Sequence, residues 1–423
     1  MKVAIIGAGY VGLPTAVGLA EYGHDIILVE ANQKTFENLN KGILHLYEAG
    51  LQELFDKNKR KIIITKEMSA VIMADIIILA VGTPMGENGE CDLTYIKEAA
   101  KELSLYAQEG QIIATKSTVP VGTGDMIEEI TKAKEKGLNI VSLPEFLREG
   151  YAVEDFFNPD RIVIGTDSDE VFARVASLYD GHIDNTKIIH TTRRSAELIK
   201  YASNAFLAVK IHYINEMANL CEHVGANVQD VAKGMGMDSR IGKKFLNAGV
   251  GFGGSCFPKD TRTLLKTAAD NYTDLTLVHA AYYGNEQRML DLANKISFIA
   301  DKCQKKKLAV LGLAFKNGTD DVRCSPAIAI INEIRGVDNI TVYDPKAMKK
   351  AKSVLRQDVK YAESIEDCVK DADIIAILTE WQEFKVVENM DFNDTIVVLD
   401  WRNILDSDKM YNKPNVIYNR IGR

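Results

Sequence analysis

A glycine motif between two apolar runs is the feature that most restricts the fold of this chain. The motif G-x-G-x-x-G at residues 7–12 follows the apolar run KVAII (2–6), and a helical stretch comes directly after it. A second apolar run, DIILV (25–29), ends at Glu30. The order of strand, glycine motif, helix, strand and acid predicts a βαβ unit of a parallel sheet, whose helix N-terminus binds the phosphates of a dinucleotide.

Each glycine of this motif has its own task. Gly7 permits the tight turn, Gly9 lets the backbone approach a pyrophosphate, and Gly12 allows close packing of the helix. Glu30 stands at the spacing expected for a carboxylate that binds the ribose hydroxyls and repels a 2′-phosphate. The sequence therefore predicts NAD, rather than NADP, as the cofactor.

The carboxyl-terminal part of the sequence repeats the pattern of the beginning. KLAVLGLA (307–314) echoes KVAIIGAG (2–9), and ADIIAIL (372–378) echoes ADIIIL (74–79). This second module keeps Gly312 but lacks the other glycines of the motif, so it is not expected to bind a dinucleotide in the same way. The sequence predicts two Rossmann-like, doubly wound parallel-sheet domains that flank a helical middle.

The middle of the chain has the composition of long helices. Residues 195–224 contain neither Gly nor Pro, which predicts a helix capped by Ser195, and a second helix is expected at about 274–301. The first stretch is apolar nearly all round, so we expect it to be largely buried. Lys200 and Asn204 are four residues apart, and one helix face would hold both of them against a single oxygen atom. A solvated polar face is the alternative interpretation.

The segment GFGGSCFPKD (251–260) places a thiol in a glycine-rich loop. A single cysteine is by default a small buried hydrophobe. The two glycines and the serine that precede Cys256 argue against burial in an apolar core. The loop therefore predicts a reactive cysteine, with Lys259 and Asp260 close to it in sequence.

Two further strand-and-loop patterns indicate where a ligand would bind. ADIIILAVGTP (74–84) and QIIATKSTVPVGTG (111–124) each pass from an apolar run into a Gly/Pro loop, and such loops lie at the carboxyl ends of parallel strands. Thr83, Thr118 and the acids of LPEFLREG (143–150) are expected to converge there. A role as turn or capping residue is an equal alternative for Thr83.

Composition excludes several classes of function. The length of 423 residues is too great for one ordinary core and predicts two or three domains. The net charge of −8 argues against a large nucleic-acid or membrane surface. The six cysteines have no paired spacing, which favours reduced thiols in a cytoplasm over a disulfide framework or a metal site. The glycine-broken start is too short for a membrane span, so no targeting segment is expected.

Taken in order, these motifs resemble the nucleotide-sugar 6-dehydrogenases of the UDP-glucose/GDP-mannose dehydrogenase family. The likeness covers essentially the whole chain, through GAGYVG, VGTP, KSTVPVG, PEFLREG, KYxxN, GFGGSCFPKD and FKNGTDDVRCSP. It implies an NAD-binding domain (1–190), a helical dimer-forming domain (191–303) and a UDP-sugar-binding domain (304–423). The implied reaction is the four-electron oxidation of the C6 alcohol of UDP-glucose to a carboxylate through a cysteine adduct. UDP-N-acetylhexosamine and GDP-mannose are alternative substrates.

The resemblance also implies residue roles, with no metal. The catalytic set is Cys256, Lys200, Asn204, Asp260, Glu145 and Thr118. The cofactor set is Gly7, Gly9, Tyr10, Val11, Gly12, Glu30, Lys34, Thr83, Thr118, Glu149, Lys259 and Arg323. The substrate set is Glu145, Phe146, Leu147, Glu149, Lys200, Asn204, Arg240, Phe245, Phe252, Gly253, Phe315 and Lys316. Arg240 is expected to reach the substrate of a neighbouring subunit of a homodimer.

Some positions depart from the family pattern, and other functions remain open. Val250 and Asn317 stand where the family has proline, Phe252 replaces a tyrosine, and Cys324 replaces a glutamate.

A two-electron 3-hydroxyacid-type dehydrogenase and a non-catalytic nucleotide-sugar sensor are the alternative classes of function. The number of NADH molecules formed per substrate separates them: two, one or none. Lys316 and Arg323, which suit a phosphate-bearing ligand, have the alternative interpretation of surface cations in a turn.

Overall fold

Strands and helices alternate at both ends of the chain, as the sequence predicts. A computed structural model describes residues 1–86, 89–304 and 306–423. The contacts within it divide the chain into two compact units, Met1–Ser203 and Asn204–Arg423.

The amino-terminal unit is built on one sheet, in the strand order β3-β2-β1-β4-β5-β6-β7-β8. Its strands are β1 (Lys2–Ile6), β2 (Asp25–Val29), β3 (Ile62–Thr65), β4 (Ile76–Leu79), β5 (Ile112–Thr115), β6 (Asn139–Ser142), β7 (Ile162–Gly165) and β8 (Ile188–Thr191). All neighbouring pairs are parallel except β6 and β7, which meet antiparallel at Ser142 and Gly165. The first two strands have the bounds that the sequence predicts.

Both faces of this sheet are covered. The helices are α1 (Gly12–Glu21), α2 (Gln33–Asn40), α3 (Leu51–Asn58), α4 (Thr94–Tyr106), α5 (Thr123–Thr131), α6 (Ala133–Lys136), α7 (Ala152–Phe157) and α8 (Asp169–Ala176), with 3₁₀ turns at Lys59–Lys61, Met68–Met73, Ser177–Tyr179 and Asn185–Lys187. Along β1, Val3 and Ile5 belong to one apolar cluster, whereas Ala4 and Ile6 belong to another. This alternation is the mark of a doubly wound α/β sheet.

The long helix α9 (Arg193–Val224) begins two residues earlier than the sequence predicts. Thr192 is the capping residue, because its Oγ1 accepts a hydrogen bond from the backbone N–H of Ser195 at 3.2 Å. The prediction of a Ser195 cap was therefore wrong. The prediction that this helix is largely buried was also wrong, since apolar side chains of α9 are exposed at Leu198, Phe206, Tyr213, Leu220 and Val224.

The carboxyl-terminal unit carries a second sheet, which is parallel throughout, in the order β11-β10-β9-β12-β13-β14. Its strands are β9 (Lys307–Leu311), β10 (Asn339–Tyr343), β11 (Val359–Tyr361), β12 (Ile374–Ile377), β13 (Ile396–Asp400) and β14 (Val416–Arg420). Its helices are α10 (Val228–Gly236), α11 (Phe257–Asp270), α12 (Thr276–Lys302), α13 (Pro326–Glu333), α14 (Met348–Ala351), α15 (Ile365–Val369) and α16 (Ser407–Tyr411), with a 3₁₀ segment at Gln382–Asn389.

One apolar core holds the carboxyl-terminal unit together. It contains β9 residues such as Val310 together with Ile214 of α9 and Ile296 of α12, so the long helices pack on the sheet that follows them in sequence. The predicted fold class, two Rossmann-like sheets with a helical middle, is confirmed. In the part of the chain that the structure describes, no helix has both the length and the apolar character needed to cross a membrane.

Candidate active site

The glycine motif forms the loop between β1 and α1. Gly7 has a φ of +98°, in the region that favours glycine. A Cβ atom on Gly12 would lie 1.8 Å from the Gly7 carbonyl oxygen, so no side chain fits at this position. Among the residues that the structure describes, none has an atom within 4 Å of a Cβ atom built on Gly9, and the backbone there is open for a ligand to approach. These are the properties that a dinucleotide loop needs.

Glu30 is held in place at the end of β2. Its Oε2 accepts a hydrogen bond from the backbone N–H of Ala8 at 2.9 Å, and its Oε1 accepts one from Asn32 at 2.7 Å. The carboxylate therefore lies beside the glycine loop. Of the other predicted cofactor residues, Tyr10 and Val11 pack against the core, whereas Lys34 is exposed on α2.

The loops after β4 and β5 lie against each other. The Thr83 hydroxyl donates to the Thr118 carbonyl oxygen at 2.9 Å, and the Ser117 hydroxyl donates to the Val81 carbonyl oxygen at 2.7 Å. The two predicted threonines are thus together at the carboxyl edge of the sheet, where ligands bind in doubly wound folds. Since Thr83 already donates within this loop pair, its part in shaping the loops is established by the geometry.

A buried ion pair joins the loop after β6 to α9. Lys200 Nζ lies 2.9 Å from Glu145 Oε1, and the two residues are 4% and 6% exposed. The second oxygen, Oε2, accepts from the backbone N–H of Leu147 at 2.5 Å. The ring of Phe146 lies 3.8 Å from the Arg161 guanidinium and 5.5 Å from Lys200 Nζ. Glu149 is partly buried in the same loop.

A second polar network lies in the carboxyl-terminal unit at the start of α11. Asp260 is fully buried, and its Oδ2 accepts from Asn204 Nδ2 at 2.6 Å. Its Oδ1 accepts from Lys259 Nζ at 2.7 Å. Each oxygen of this buried carboxylate thus has its own hydrogen-bond donor. The predicted pair of α9 residues is therefore divided between two carboxylates: Lys200 binds Glu145, and Asn204 binds Asp260.

Cys256 is exposed and stands immediately before the first residue of α11. The free N–H groups at a helix N-terminus stabilise negative charge, which favours the thiolate form of a cysteine there. The backbone N–H of Asp260 donates to the Cys256 carbonyl oxygen at 2.7 Å, so the thiol and the buried carboxylate share one helical turn. The predicted exposure of this cysteine is confirmed.

The glycine-rich loop that ends at Cys256 (residues 251–256), the thiol loop, is packed tightly against the loop after β9. A Cβ atom on Gly253 would lie 2.2 Å from the Cys324 carbonyl oxygen, and the Gly254 N–H donates to the Arg323 carbonyl oxygen at 3.1 Å. A Cβ atom on Gly254 would lie 2.7 Å from the ring of Phe315. The structure therefore brings Gly253 and Phe315, two predicted substrate residues, to the same place.

The other predicted substrate and cofactor residues make contacts of their own. Arg240 is exposed after α10 and pairs with Asp238, Nη2 to Oδ2 at 2.6 Å. Phe245 has a φ of +65°. The ring of Phe257 lies between two other rings: its centroid is 6.0 Å from the Phe245 centroid and 6.1 Å from the Phe252 centroid. Lys316 Nζ lies 5.4 Å from the ring of Phe315, and Arg323 forms a bidentate pair with Asp321.

Comparison with known proteins decides the family. Three family models match successive parts of the chain: the NAD binding domain over residues 1–183, the central domain over 194–287 and the UDP binding domain over 309–407 of the UDP-glucose/GDP-mannose dehydrogenase family. The chain belongs to this family. It is an NAD-dependent oxidoreductase, and its ligand is a small molecule that carries a nucleotide.

Full-length relatives agree with this assignment. The UDP-glucose 6-dehydrogenase of Rhizobium meliloti is 43% identical, with 100% of each chain covered. UDP-glucose 6-dehydrogenase TuaD of Bacillus subtilis is 41% identical over 100% of this chain and 93% of its own. Among solved structures, a UDP-glucose dehydrogenase from Pyrobaculum islandicum has a TM-score of 0.89 at 33% identity, covering 100% of this chain and 97% of its own. The UDP-D-ManNAc dehydrogenase of Pyrococcus horikoshii has a TM-score of 0.86 at 27% identity, covering 100% and 99%.

Two residues that hold the loops of the candidate site were not found by sequence reasoning. Glu48 is 5% exposed, and its oxygens accept from the backbone N–H groups of Gly150 and Ala152 at 2.8 and 3.1 Å, which fixes the loop that carries Glu145. Asn285 of α12 binds both the N–H and the carbonyl of Phe252, at 2.8 and 3.0 Å. An acid in HLYEAGL and an asparagine in a long helix carry no local signal of these contacts.

Proposed function

We propose that the protein oxidises the C6 hydroxymethyl group of UDP-glucose to the carboxylate of UDP-glucuronate, with two molecules of NAD per sugar. The observation that carries this proposal is the exposed Cys256 at the N-terminus of α11, one turn from the buried Asp260. A two-electron alcohol dehydrogenase has no need of a thiol. A thiol becomes useful when an aldehyde must be held and oxidised again.

The chemistry requires a covalent intermediate on the protein. The glycine loop with Gly7, Gly9 and Gly12 would hold NAD, which when bound would supply the hydride acceptor for each of the two oxidations. After the first, the Cys256 thiolate adds to the aldehyde carbon and forms a thiohemiacetal. Loss of the second hydride gives a thioester, and water releases the acid and restores the thiol. One alcohol, two NAD and one water thus give one carboxylate, two NADH and three protons.

The two polar networks supply the charge stabilisation. An oxyanion develops at the reacting carbon in each addition step. Lys200 and Asn204 lie one turn apart on α9, and we assign both as donors to this oxygen. Each is held by a carboxylate, at 2.9 and 2.6 Å, so neither has to be ordered during the reaction. Preorganised donors of this kind are worth roughly 3 kcal/mol each.

We assign proton transfer to the carboxylates of Asp260 and Glu145. Asp260 is assigned as general base, directly or through a water molecule, because it is fully buried and one turn from the thiol. Glu145 and Thr118 are assigned to the water chain. Phe146, Leu147 and Glu149 accompany them in the substrate set, because the loop after β6 carries all of them.

The glycine loop fits NAD, and Glu30 gives a testable preference. The Glu30 carboxylate is fixed by two backbone N–H groups beside the loop, so a 2′-phosphate would meet a negative charge that cannot turn away. We expect kcat/KM for NAD to exceed that for NADP by on the order of tenfold or more. Glu30→Gln should narrow this ratio, whereas Glu37→Gln, an exposed acid on α2, should leave it unchanged. Equal values for the two cofactors in the unaltered enzyme would contradict the assignment of Glu30.

The choice of sugar rests on the relatives. Proteins that are 41–43% identical over the full length are named for UDP-glucose, whereas the relative named for UDP-D-ManNAc is 27% identical. Another nucleotide sugar is the second candidate, because Phe252 replaces the usual tyrosine in the thiol loop. A spectrophotometric screen of UDP-glucose, UDP-N-acetylhexosamines and GDP-mannose with NAD tests this. A higher kcat/KM for any sugar other than UDP-glucose would overturn the substrate assignment.

The proposal also covers the domain boundaries, the oligomeric state and the cellular location of the protein. We propose domain limits of 1–190, 191–303 and 304–423; α9 begins at Arg193 and β9 at Lys307. Phe206, Tyr213 and Leu220 recur every seven residues along α9 and are 64%, 43% and 53% exposed, so they form an apolar stripe that a second copy would cover. We infer a homodimer in which Arg240 reaches the partner's substrate. All six cysteines are free, in keeping with a cytoplasmic enzyme.

A further inference from the structure

A second buried lysine lies close to the Lys200–Glu145 pair in the amino-terminal unit. Lys116 directly follows β5 and is 7% exposed. Its backbone N–H donates to the Leu79 carbonyl oxygen at 2.8 Å, which fixes the start of the loop after β5. Glu145 lies in the loop after β6, and β5 and β6 are neighbouring parallel strands. Two loops at one edge of the sheet thus bring the residues together.

The ammonium group of Lys116 has an unusual environment. Among the residues that the structure describes, none forms an ion pair or a hydrogen bond with it. Its electrostatic neighbours are Glu145, which favours its charged form, and Lys200, which disfavours it. Burial has the largest effect and lowers the pKa of Lys116 to about 8. A buried cation without an ion-pair partner is costly, which points to a function for the charge.

The charges of the cluster formed by Lys116, Lys200 and Glu145 indicate what the charge on Lys116 does. Lys200 and Glu145 form an ion pair at 2.9 Å, so Lys200 can donate a hydrogen bond to a developing oxyanion while the pair as a whole adds no net positive charge beside it. Lys116 raises the total charge of the three side chains to one positive unit. We propose that Lys116 is a positioning residue that gives the Lys200–Glu145 pair the net positive charge needed to stabilise an anion at the sugar C6. This inference rests on the proposed function, because the anion is the oxyanion or the carboxylate formed from the C6 alcohol.

The proposal is tested first by binding, without turnover. Lys116→Met removes the charge and keeps most of the volume. It should raise the Kd of UDP-glucuronate, whose C6 is a carboxylate, by about tenfold. The Kd values of UDP-glucose and UDP, measured by calorimetry, should change less than about twofold. Equal weakening of all three ligands, or no change for UDP-glucuronate, would overturn it. Failure of the unaltered enzyme to bind UDP-sugars would instead refute the proposed function.

The pH dependence of kcat supplies the second test. Because the charged form of Lys116 is present below about pH 8, kcat of the unaltered enzyme should fall as pH rises through that value. Lys116→Met should have a kcat about tenfold lower at pH 7 and no such decline. Lys116→Arg, which stays charged, should keep kcat at pH 7 and move the decline to higher pH. Lys97→Met, an exposed lysine on α4, is the matched control.

The outcomes of the pH test are separable. If Lys116→Met has the kcat of the unaltered enzyme at pH 7, or keeps its decline at the same pH, Lys116 is structural only. If Lys116→Met does not fold, the Arg variant decides: a decline at unchanged pH overturns the proposal, and a decline at higher pH supports it. The assay uses whichever nucleotide sugar the enzyme oxidises fastest, so a wrong sugar assignment does not affect the result.

Discussion

Cys256→Ser is expected to lower the rate of uronic acid formation by about a thousandfold or more, while NAD and nucleotide-sugar binding stay unchanged. The serine hydroxyl keeps the shape of the side chain at the start of α11, but it stays protonated near neutral pH and adds poorly to an aldehyde. In the proposed mechanism, the first oxidation does not need the sulfur, whereas the second needs the tetrahedral adduct. Residual turnover should stall at the aldehyde or at a slowly hydrolysed ester on the introduced serine.

Intact-protein mass spectrometry in a single-turnover reaction would detect that ester. The control is Cys324→Ser, because Cys324 is also an exposed thiol and its carbonyl lies against Gly253 of the thiol loop, but it belongs to the loop after β9 and not to the start of α11. This control should keep its activity. Full production of two NADH per sugar by Cys256→Ser would mean that the cysteine is structural and that the aldehyde is oxidised as a hydrate.

Asn204→Ala is expected to lower kcat by on the order of a hundredfold, with a much smaller change in UDP-sugar affinity. The amide is 8% exposed and bound to Asp260 at 2.6 Å, so its direction is fixed before the substrate arrives. In the role we propose, the contact of this amide with the reacting oxygen strengthens as negative charge develops there, and the loss therefore falls on kcat. Steady-state kinetics with UDP-glucose measure this.

A control on the same helix separates catalysis from stability. Ala202→Ser changes an exposed position of α9 and should leave kcat unchanged. Thermal unfolding should show that Asn204→Ala is folded at the assay temperature, since removing one neutral partner of a buried carboxylate costs about 1–3 kcal/mol. A rise in KM with kcat preserved would make Asn204 a binding residue.

The first βαβ unit was predictable because its signals are local. The glycine motif, the β-branched runs and the acid at the end of β2 each act within a few residues, and β1 and β2 have the predicted bounds. The exposure of Cys256 followed from the residues just before it. The repeat between the two ends of the chain gave the second sheet for the same reason: the run KLAVLGLA by itself predicts a strand that ends at a glycine turn.

The features that sequence reasoning missed depend on distant partners. The antiparallel meeting of β6 and β7 is set by one residue pair, Ser142 and Gly165, which no local pattern marks. In the sequence, Lys116 is a polar residue of a loop motif, and only the folded structure shows that it is buried near Glu145. The expected burial of α9 failed because apolar residues alone do not say whether a helix is covered by its own chain or by another.

The central claim is that one active site removes four electrons from one sugar carbon without losing the aldehyde. The direct measurement is the end-point yield of NADH from a limiting amount of UDP-glucose in excess NAD, with an aldehyde-trapping reagent present. We predict two NADH per sugar, UDP-glucuronate as the product and no trapped aldehyde. One NADH per sugar with a trapped aldehyde, or no NADH at all, would contradict the account.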